Sequence, residues 1–360
     1  MRFREMTRTL GSVTWHGQRI TGRQLVGLGG ATVWVLVMLV KTGTGGIVAL
    51  WTALVFMAEL IALGSLTRTL SIRQLTAVFM LGGFAMSLAY VFALFIPHTS
   101  ARAFLVPPME ELLKIAPVLF VLWRGRNSTT RTLGVTDVML LAAASGAGFG
   151  MVEDAYIRHH SGWPAQLDWL PLTEITGGRL IAGHAIWTTL AGVTLGFALL
   201  FRSRLKMALA LGASGLIWSA FDHIANNYGV GQRGFFANFL NGVAGYGWTT
   251  IYLFVIGVVV AIAFDLYMIH GQLPPFPEFK LPKLQSGVSG LKILWAFLID
   301  RRALAYALFR YRGASGMARA ELACLAAVLD LSLLNRRSNE AFVPTEPTLI
   351  MPVRDYFWSV

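Results

Sequence analysis

The sequence predicts an all-α protein, a polytopic membrane helix bundle of about eight transmembrane helices with a small cytoplasmic helical tail at the C-terminus. Three observations lead to this fold class. Hydrophobic residues make up 55% of the 360 residues and charged residues only 13%, about half the charged fraction of a soluble domain. Apolar stretches of about 20 residues, the length that crosses the hydrocarbon core as a helix, recur along the chain. Arginine and lysine flank these stretches, as in membrane proteins.

Eight stretches have the length and composition of transmembrane helices. They lie at about residues 25–40, 46–66, 74–96, 104–123, 135–156, 180–201, 207–226 and 248–269. The first begins late and lacks the small-residue cleavage site of a signal peptide, so we expect it to be retained. The eighth is followed by a proline-rich run at 273–277, which cannot continue a helix.

The composition divides the chain into three predicted regions. Residues 1–24 form a basic cytoplasmic lead, residues 25–270 a transmembrane domain whose polar motifs occupy 107–227, and residues 271–360 a cytoplasmic tail. Within the tail, two patterns near 288–312 and 316–335 mix apolar residues with arginine, which indicates a helical hairpin on the inner leaflet. The chain has a single cysteine, Cys324, so no intrachain disulfide forms.

The basic residues predict a multi-pass protein of the cell membrane with both termini in the cytoplasm. With the N-terminus inside, thirteen of them precede the tail in inner segments and five lie in outer loops, as the positive-inside rule requires. The inner residues are Arg2, Arg4, Arg8, Arg19, Arg23, Arg68, Arg73, Arg124, Arg126, Arg131, Arg202, Arg204 and Lys206. The outer residues are Lys41, Arg102, Arg158, Arg179 and Arg233. Because arginines beside spans set the topology, the net charge of +12 indicates the lipid bilayer as the expected partner and not nucleic acid.

Ionisable groups inside a bilayer cost a few kcal/mol or more and are functional candidates by default, and seven polar residues inside the predicted spans or at their ends are the candidate site residues. They are Glu110, Glu111, Lys114, Glu153, His184, His223 and Asn227. In the eight-span topology they belong to four different spans, and a rise of 1.5 Å per residue places their carboxylates and imidazoles roughly 5–12 Å from the outer boundary. This agreement in depth predicts one polar site.

The spacing of these residues adds detail to the predicted site. Lys114 is four residues after Glu110 and three after Glu111, so it can neutralise one carboxylate while the other faces the site. Glycines at 146, 148 and 150 precede Glu153. Glycines allow helices to approach closely, as a compact site between spans requires.

Two carboxylates and two imidazoles fit two hydrolytic chemistries. In the first, zinc binds to histidine nitrogens and a carboxylate oxygen and activates water at an open position. The candidate zinc ligands are Glu153, His184 and His223. In the second, a glutamate and a histidine activate water without a metal, and histidine and Asn227 donate to an oxyanion. In both, Glu110 or Glu111 is the general base.

Four short motifs, each on its own span, resemble those of the PrsW family of intramembrane proteases, relatives of the CAAX-processing and bacteriocin-immunity proteases. They are Glu-Glu-x-x-Lys at 110–114, Phe-x-x-x-Glu at 149–153, Gly-His-Ala at 183–185 and His-x-x-x-Asn at 223–227. The resemblance covers about residues 104–260. It implies that residues 25–270 form a protease domain, with zinc as the expected cofactor.

The resemblance further implies cleavage of a membrane-protein substrate, such as an anti-sigma factor, near the outer membrane face. This hypothesis predicts loss of cleavage in Glu111→Gln and in His184→Ala, with normal insertion. An ion or proton transporter and a non-catalytic scaffold with a partner-binding tail are the alternatives. A proton relay would cross the membrane, whereas the polar residues stop in the outer half, Asp265 excepted. Asp222 is expected to cap its helix or to face the loop.

Overall fold

A computed structural model describes residues 12–15, 18–64, 67–68, 70, 72–97, 100–124, 133–161, 170–175, 179–201, 203–229 and 234–270. The predicted tail at 271–360 and the first eleven residues of the lead lie outside the described residues. The described part is mostly helical. Helix α1 spans Gly22–Leu63, α2 Ile72–Leu94, α3 Ser100–Arg124, α4 Val135–Ser161, α5 His184–Leu200, α6 Leu205–Gly229, α7 Phe235–Val243 and α8 Trp248–His270.

Five stretches in the described helices are long and apolar enough to cross a membrane, so the chain is a multi-pass membrane protein. They are Val40–Leu63, Gln74–Leu94, Val135–Ile157, Leu205–Tyr228 and Gly245–Tyr267. Helix α5 has 17 residues, and α3 carries ionisable residues at its centre. Helix α1 covers two of the predicted spans and is interrupted at Gly43, where φ is 57°. The total of eight spans stays a prediction.

Two β-hairpins and one short helix were not predicted from the sequence. Strand β1 (Ser12–Trp15) pairs with β2 (Gln18–Thr21), and β3 (Leu172–Ile175) pairs with β4 (Arg179–Ala182), both antiparallel. The predicted helical start at residue 180 is therefore wrong. The backbone of β4 pairs with β3, and the N–H of Gly183 donates to the carbonyl of Pro171 at 2.7 Å. Helix α5 then begins at His184.

Helix α4 lies at the centre of the bundle. It packs against α1, α2, α3, α5 and α8, and every residue from 135 to 152 is buried. Small residues make this packing possible, because a Cβ on Gly148 would collide with the backbone carbonyl of Phe79 on α2. The glycines predicted to allow close helix approach therefore do so at this position.

Replacing Gly148 with alanine should destabilise the fold, because the added methyl group meets backbone of α2 that has no rotamer with which to yield. Overpacking of this kind costs about 1–3 kcal/mol of unfolding free energy. Thermal unfolding of the purified protein in detergent measures the loss. Gly150→Ala is the matched control, since a Cβ there would be 3.5 Å from the Cβ of His184, an ordinary contact. Equal melting temperatures for both variants would contradict this account of the packing.

Two buried aspartates secure the N-terminal end of α4. Asp265 of α8 accepts hydrogen bonds from the first two N–H groups of α4, at 3.1 and 2.7 Å. Asp137 accepts from the N–H of Gly134 at 3.2 Å and from that of Leu70, also at 3.2 Å. Asp265 stands out in the sequence as an ionisable residue within a predicted span, whereas no role was predicted for Asp137. Both side chains cap backbone groups, which gives them a structural task at the opposite end of α4 from Glu153.

Candidate active site

The helix bundle brings all seven predicted site residues into one network of contacts. Helix α3 supplies Glu110, Glu111 and Lys114, and α4, α5 and α6 supply the rest. Glu111 and Lys114 are fully buried, while the Glu153 side chain is 21% exposed and that of Glu110 12%. The site is therefore enclosed by helices and opens on the side of these two carboxylates.

Lys114 is the central cation of the network. Its Nζ lies 2.5 Å from Oε1 of Glu111 and 2.8 Å from Nδ1 of His184. The ammonium also faces the rings of Phe149 and Trp187, with centroids at 5.2 and 5.4 Å. A buried charge is tolerated when such partners surround it. Because Lys114 donates to Nδ1 of His184, Nε2 is the nitrogen of this ring that remains for a proton or for a metal ion.

His223 is oriented by Glu111. Its Nδ1 lies 3.0 Å from Oε1 of Glu111, and a carboxylate only accepts, so Nδ1 carries the proton. Its Nε2 is then free of a proton and lies 3.6 Å from Oε2 of Glu110 and 3.4 Å from the amide nitrogen of Asn227. A histidine that donates to a carboxylate from one nitrogen and has no proton on the other has the arrangement of a metal ligand.

Glu153 and His184 form the third part of the site. Nε2 of His184 contacts Oε2 of Glu153, so this carboxylate lies beside the nitrogen that a metal ion would use. The ring of His184 lies 5.0 Å from those of Phe149 and His223. Both nitrogens of each imidazole thus lie beside named partners, which fixes the two rings relative to each other.

Glu110, His184 and His223 fit a divalent metal ion. One ligand atom from each lies within 4.8 Å of the other two, and two imidazoles with one carboxylate are a donor set that zinc takes in hydrolases. Oε2 of Glu110 and Oε2 of Glu153 are both buried and accept no hydrogen bond from the described residues, a costly state that a cation relieves. Glu153 was predicted from the sequence as the carboxylate ligand, and this stays a prediction. Glu110 is the second candidate, because it belongs to the compact set.

Trp187 and Asp222 belong to the site but were not predicted. The indole N–H of Trp187 donates to Oδ2 of Asp222 at 2.7 Å, and its ring stacks on His223 with centroids 4.4 Å apart and planes at 21°. Asp222 is completely buried, so the expectation that it faces the loop is wrong. Trp187 follows His184 by three residues on the same helix face, which was the available signal in the sequence.

The fold and the site define a multi-pass membrane enzyme with a Glu/His centre buried between its helices. A family model described as PrsW family intramembrane metalloprotease matches residues 32–264. This range contains all seven predicted site residues, and the chain belongs to this family. It is accordingly an intramembrane protease that acts on membrane proteins in a lipid environment. No curated protein and no solved structure matches the chain.

Proposed function

We propose that this protein is a zinc-dependent endopeptidase that cuts a membrane-protein substrate near the extracytoplasmic face, with an anti-sigma-factor-like protein as the type of substrate. One observation carries the proposal. Helices α3, α4, α5 and α6 bring two carboxylates, Glu110 and Glu153, into contact with two imidazoles, those of His223 and His184. Metal-assisted proteolysis needs metal ligands and a proton acceptor at one point, and this cluster contains candidates for both.

The proposed orientation has both termini in the cytoplasm and eight spans. It is supported by the excess of arginine and lysine in the inner segments. In this orientation α3 and α5 run inward and α4 and α6 run outward. Glu153 and His223 then approach the ends of their helices, and His184 begins its own, so the site lies in the outer half of the membrane.

Glu110, His184 and His223 are the proposed zinc ligands. When bound, zinc polarises a carbonyl and makes water a nucleophile near neutral pH. The chain's own residues supply orientation and proton transfer. Glu153 takes the proton that water loses as its oxygen attacks the scissile carbonyl, and then gives it to the leaving amine. Because Glu153 contacts His184 directly, it borders any group held there.

The remaining residues position these groups. Glu111 fixes the Nδ1 proton of His223, so that Nε2 faces Glu110. Lys114 compensates the charge of Glu111 and holds Nδ1 of His184. Asn227 places its amide N–H groups beside Nε2 of His223, where they can donate to the oxyanion that forms on the attacked carbonyl.

The test is cleavage of a single-span membrane protein by the purified enzyme in proteoliposomes, with the cut located by mass spectrometry. Glu111→Gln should lower kcat about 10–100-fold, the usual effect of losing a carboxylate that orients a ligand histidine. Glu59→Gln is the matched control, because Glu59 lies on α1, a helix that supplies none of the site residues.

Equal activity of the Glu111→Gln and Glu59→Gln enzymes would contradict the proposed site. A cut near the cytoplasmic end of the substrate span would contradict the proposed face. Proton flux without cleavage, abolished by Glu110→Gln, would instead support a transporter. The hydrogen bonds of Asp137 and Asp265 to backbone N–H groups count against that alternative, since a proton relay needs carboxylates placed for transfer.

A further inference from the structure

We propose that Trp187, held by Asp222, is a positioning residue that sets the plane of the His223 ring and thereby the direction of its Nε2. The inference rests on the proposed function, in which Nε2 of His223 is a ligand atom. The orientation of the His223 ring can be tested without any assumption about zinc, because it depends on the contact between the indole of Trp187 on α5 and the imidazole of His223 on α6.

The hydrogen bonds of His223 leave the plane of its ring weakly held. The contact between Nδ1 and Glu111 at 3.0 Å fixes one nitrogen, but the contact between Nε2 and Asn227 is long, at 3.4 Å, so the ring can still tilt. The stack on Trp187, with centroids 4.4 Å apart and planes at 21°, removes this freedom because tilting separates the two faces. Together the carboxylate and the indole determine where Nε2 points.

The indole is itself fixed in three ways. Its N–H donates to Oδ2 of Asp222 at 2.7 Å, which is the length of a strong, charge-assisted hydrogen bond. Its backbone carbonyl accepts from the hydroxyl of Ser219 on α6 at 2.8 Å. The ammonium of Lys114 also faces the indole, with Nζ 5.4 Å from the ring centroid. Trp187 is 2% exposed, so no water competes for these contacts.

Asp222 precedes His223 directly on α6, and neighbouring helical positions point about 100° apart. The two side chains therefore cannot contact the same partner unless that partner is broad. The indole is broad enough, since it receives Asp222 at its N–H edge and His223 on its face. Rotation of the Asp222 side chain is thus coupled to the ring of His223 through Trp187.

The experiment compares Trp187→Phe, Asp222→Ala and Asp222→Asn with the control Trp218→Phe. Trp218 is also an indole that bridges two helices, and its N–H donates to the hydroxyl of Thr250 at 3.0 Å, but it touches no site residue among the described contacts. Four quantities are measured on the full-length protein in detergent. They are zinc affinity by competition with a chelator, kcat and KM on a single-span substrate, and the rate at which diethyl pyrocarbonate modifies His223 after removal of metal.

We expect Trp187→Phe and Asp222→Ala each to weaken zinc binding and to lower kcat by about 10–100-fold, as other residues that orient metal ligands do, with KM within about twofold. Modification of His223 should become severalfold faster. Asp222→Asn should stay near wild type, because its amide oxygen still accepts the indole N–H. The double variant Trp187→Phe/Asp222→Ala should lose no more than either single variant, since both changes break one chain of contacts.

The inference is overturned if Trp187→Phe and Trp218→Phe give the same zinc affinity, kcat and His223 modification rate. It is also overturned if Trp187→Phe lowers only the melting temperature, which is the effect of a residue that merely packs. Failure of the proposed function has a different signature. In that case the wild-type enzyme cleaves no substrate and binds no zinc, and the modification rate of His223 still decides the role of Trp187.

Discussion

Glu153→Gln lowers kcat by about 10²–10⁴-fold, the range for loss of a general base, while the purified protein keeps its metal. This result is expected because the amide has the shape of the carboxylate but cannot take a proton from water. Glu153 is the most exposed carboxylate of the site, so water reaches it more easily than Glu110 or Glu111. It contacts His184 but is not a member of the compact ligand set. The measurements are single-turnover cleavage and zinc content by mass spectrometry.

Glu110→Gln is the paired variant for this prediction. Oε2 of Glu110 lies 3.6 Å from Nε2 of His223 and accepts no hydrogen bond from the residues that the structure describes. Its replacement should therefore lower zinc affinity, and added zinc should restore part of the activity. The reverse pattern, with zinc lost in Glu153→Gln and retained in Glu110→Gln, would make Glu153 the ligand and Glu110 the base.

The membrane helices and the members of the site were predictable because both leave strong local signals. A run of about 20 apolar residues crosses a bilayer as a helix, because a helix satisfies its backbone hydrogen-bonding groups within the segment. Carboxylates inside such runs are rare. The alternation of direction between successive spans then brings Glu110, Glu153, His184 and His223 to one end. No knowledge of side-chain packing is needed for this step.

The roles of the individual residues within the candidate site were not predictable. The choice between Glu110 and Glu153 as ligand depends on side-chain directions that differ by a few ångströms, and chain spacing does not resolve them. Asp222 shows the same limit. Its position near a helix end indicated an exposed side chain. Its burial depends on the packing of α5 against α6, which brings Trp187 to it as a hydrogen-bond donor.

The hairpin β3–β4 was missed for another reason. Its residues, Leu172–Ile175 and Arg179–Ala182, are apolar enough at 180–182 to read as the first turn of the following helix. Four-residue strands carry little periodicity, and the pairing that stabilises them is nonlocal. Its consequence is functional, because the chain leaves β4 through Gly183 and His184 becomes the first residue of α5, close to the end of the bundle.

The double variant His184→Ala/His223→Ala should lose its zinc and all measurable cleavage. Each imidazole offers a ligand atom within 4.8 Å of the other and of Glu110. Without both imidazoles only one donor of this compact set remains, and one donor does not hold zinc against buffer. Wild type should contain about one zinc ion per chain, as expected for a site with one such donor set. Inductively coupled plasma mass spectrometry of the purified proteins measures this directly.

His270→Ala is the control for that experiment, because His270 ends α8, five residues beyond the Asp265 that caps the opposite end of α4. It should retain zinc and activity. The double variant removes His184 as a partner of Lys114 and leaves Glu111 as the other one. Cooperative melting of both proteins must therefore show that they are folded. Zinc that persists in a folded double variant would place the metal elsewhere. No metal in the wild type, together with cleavage that needs Glu153, would identify a glutamate-activated water, with His184 and His223 as proton carriers and oxyanion donors.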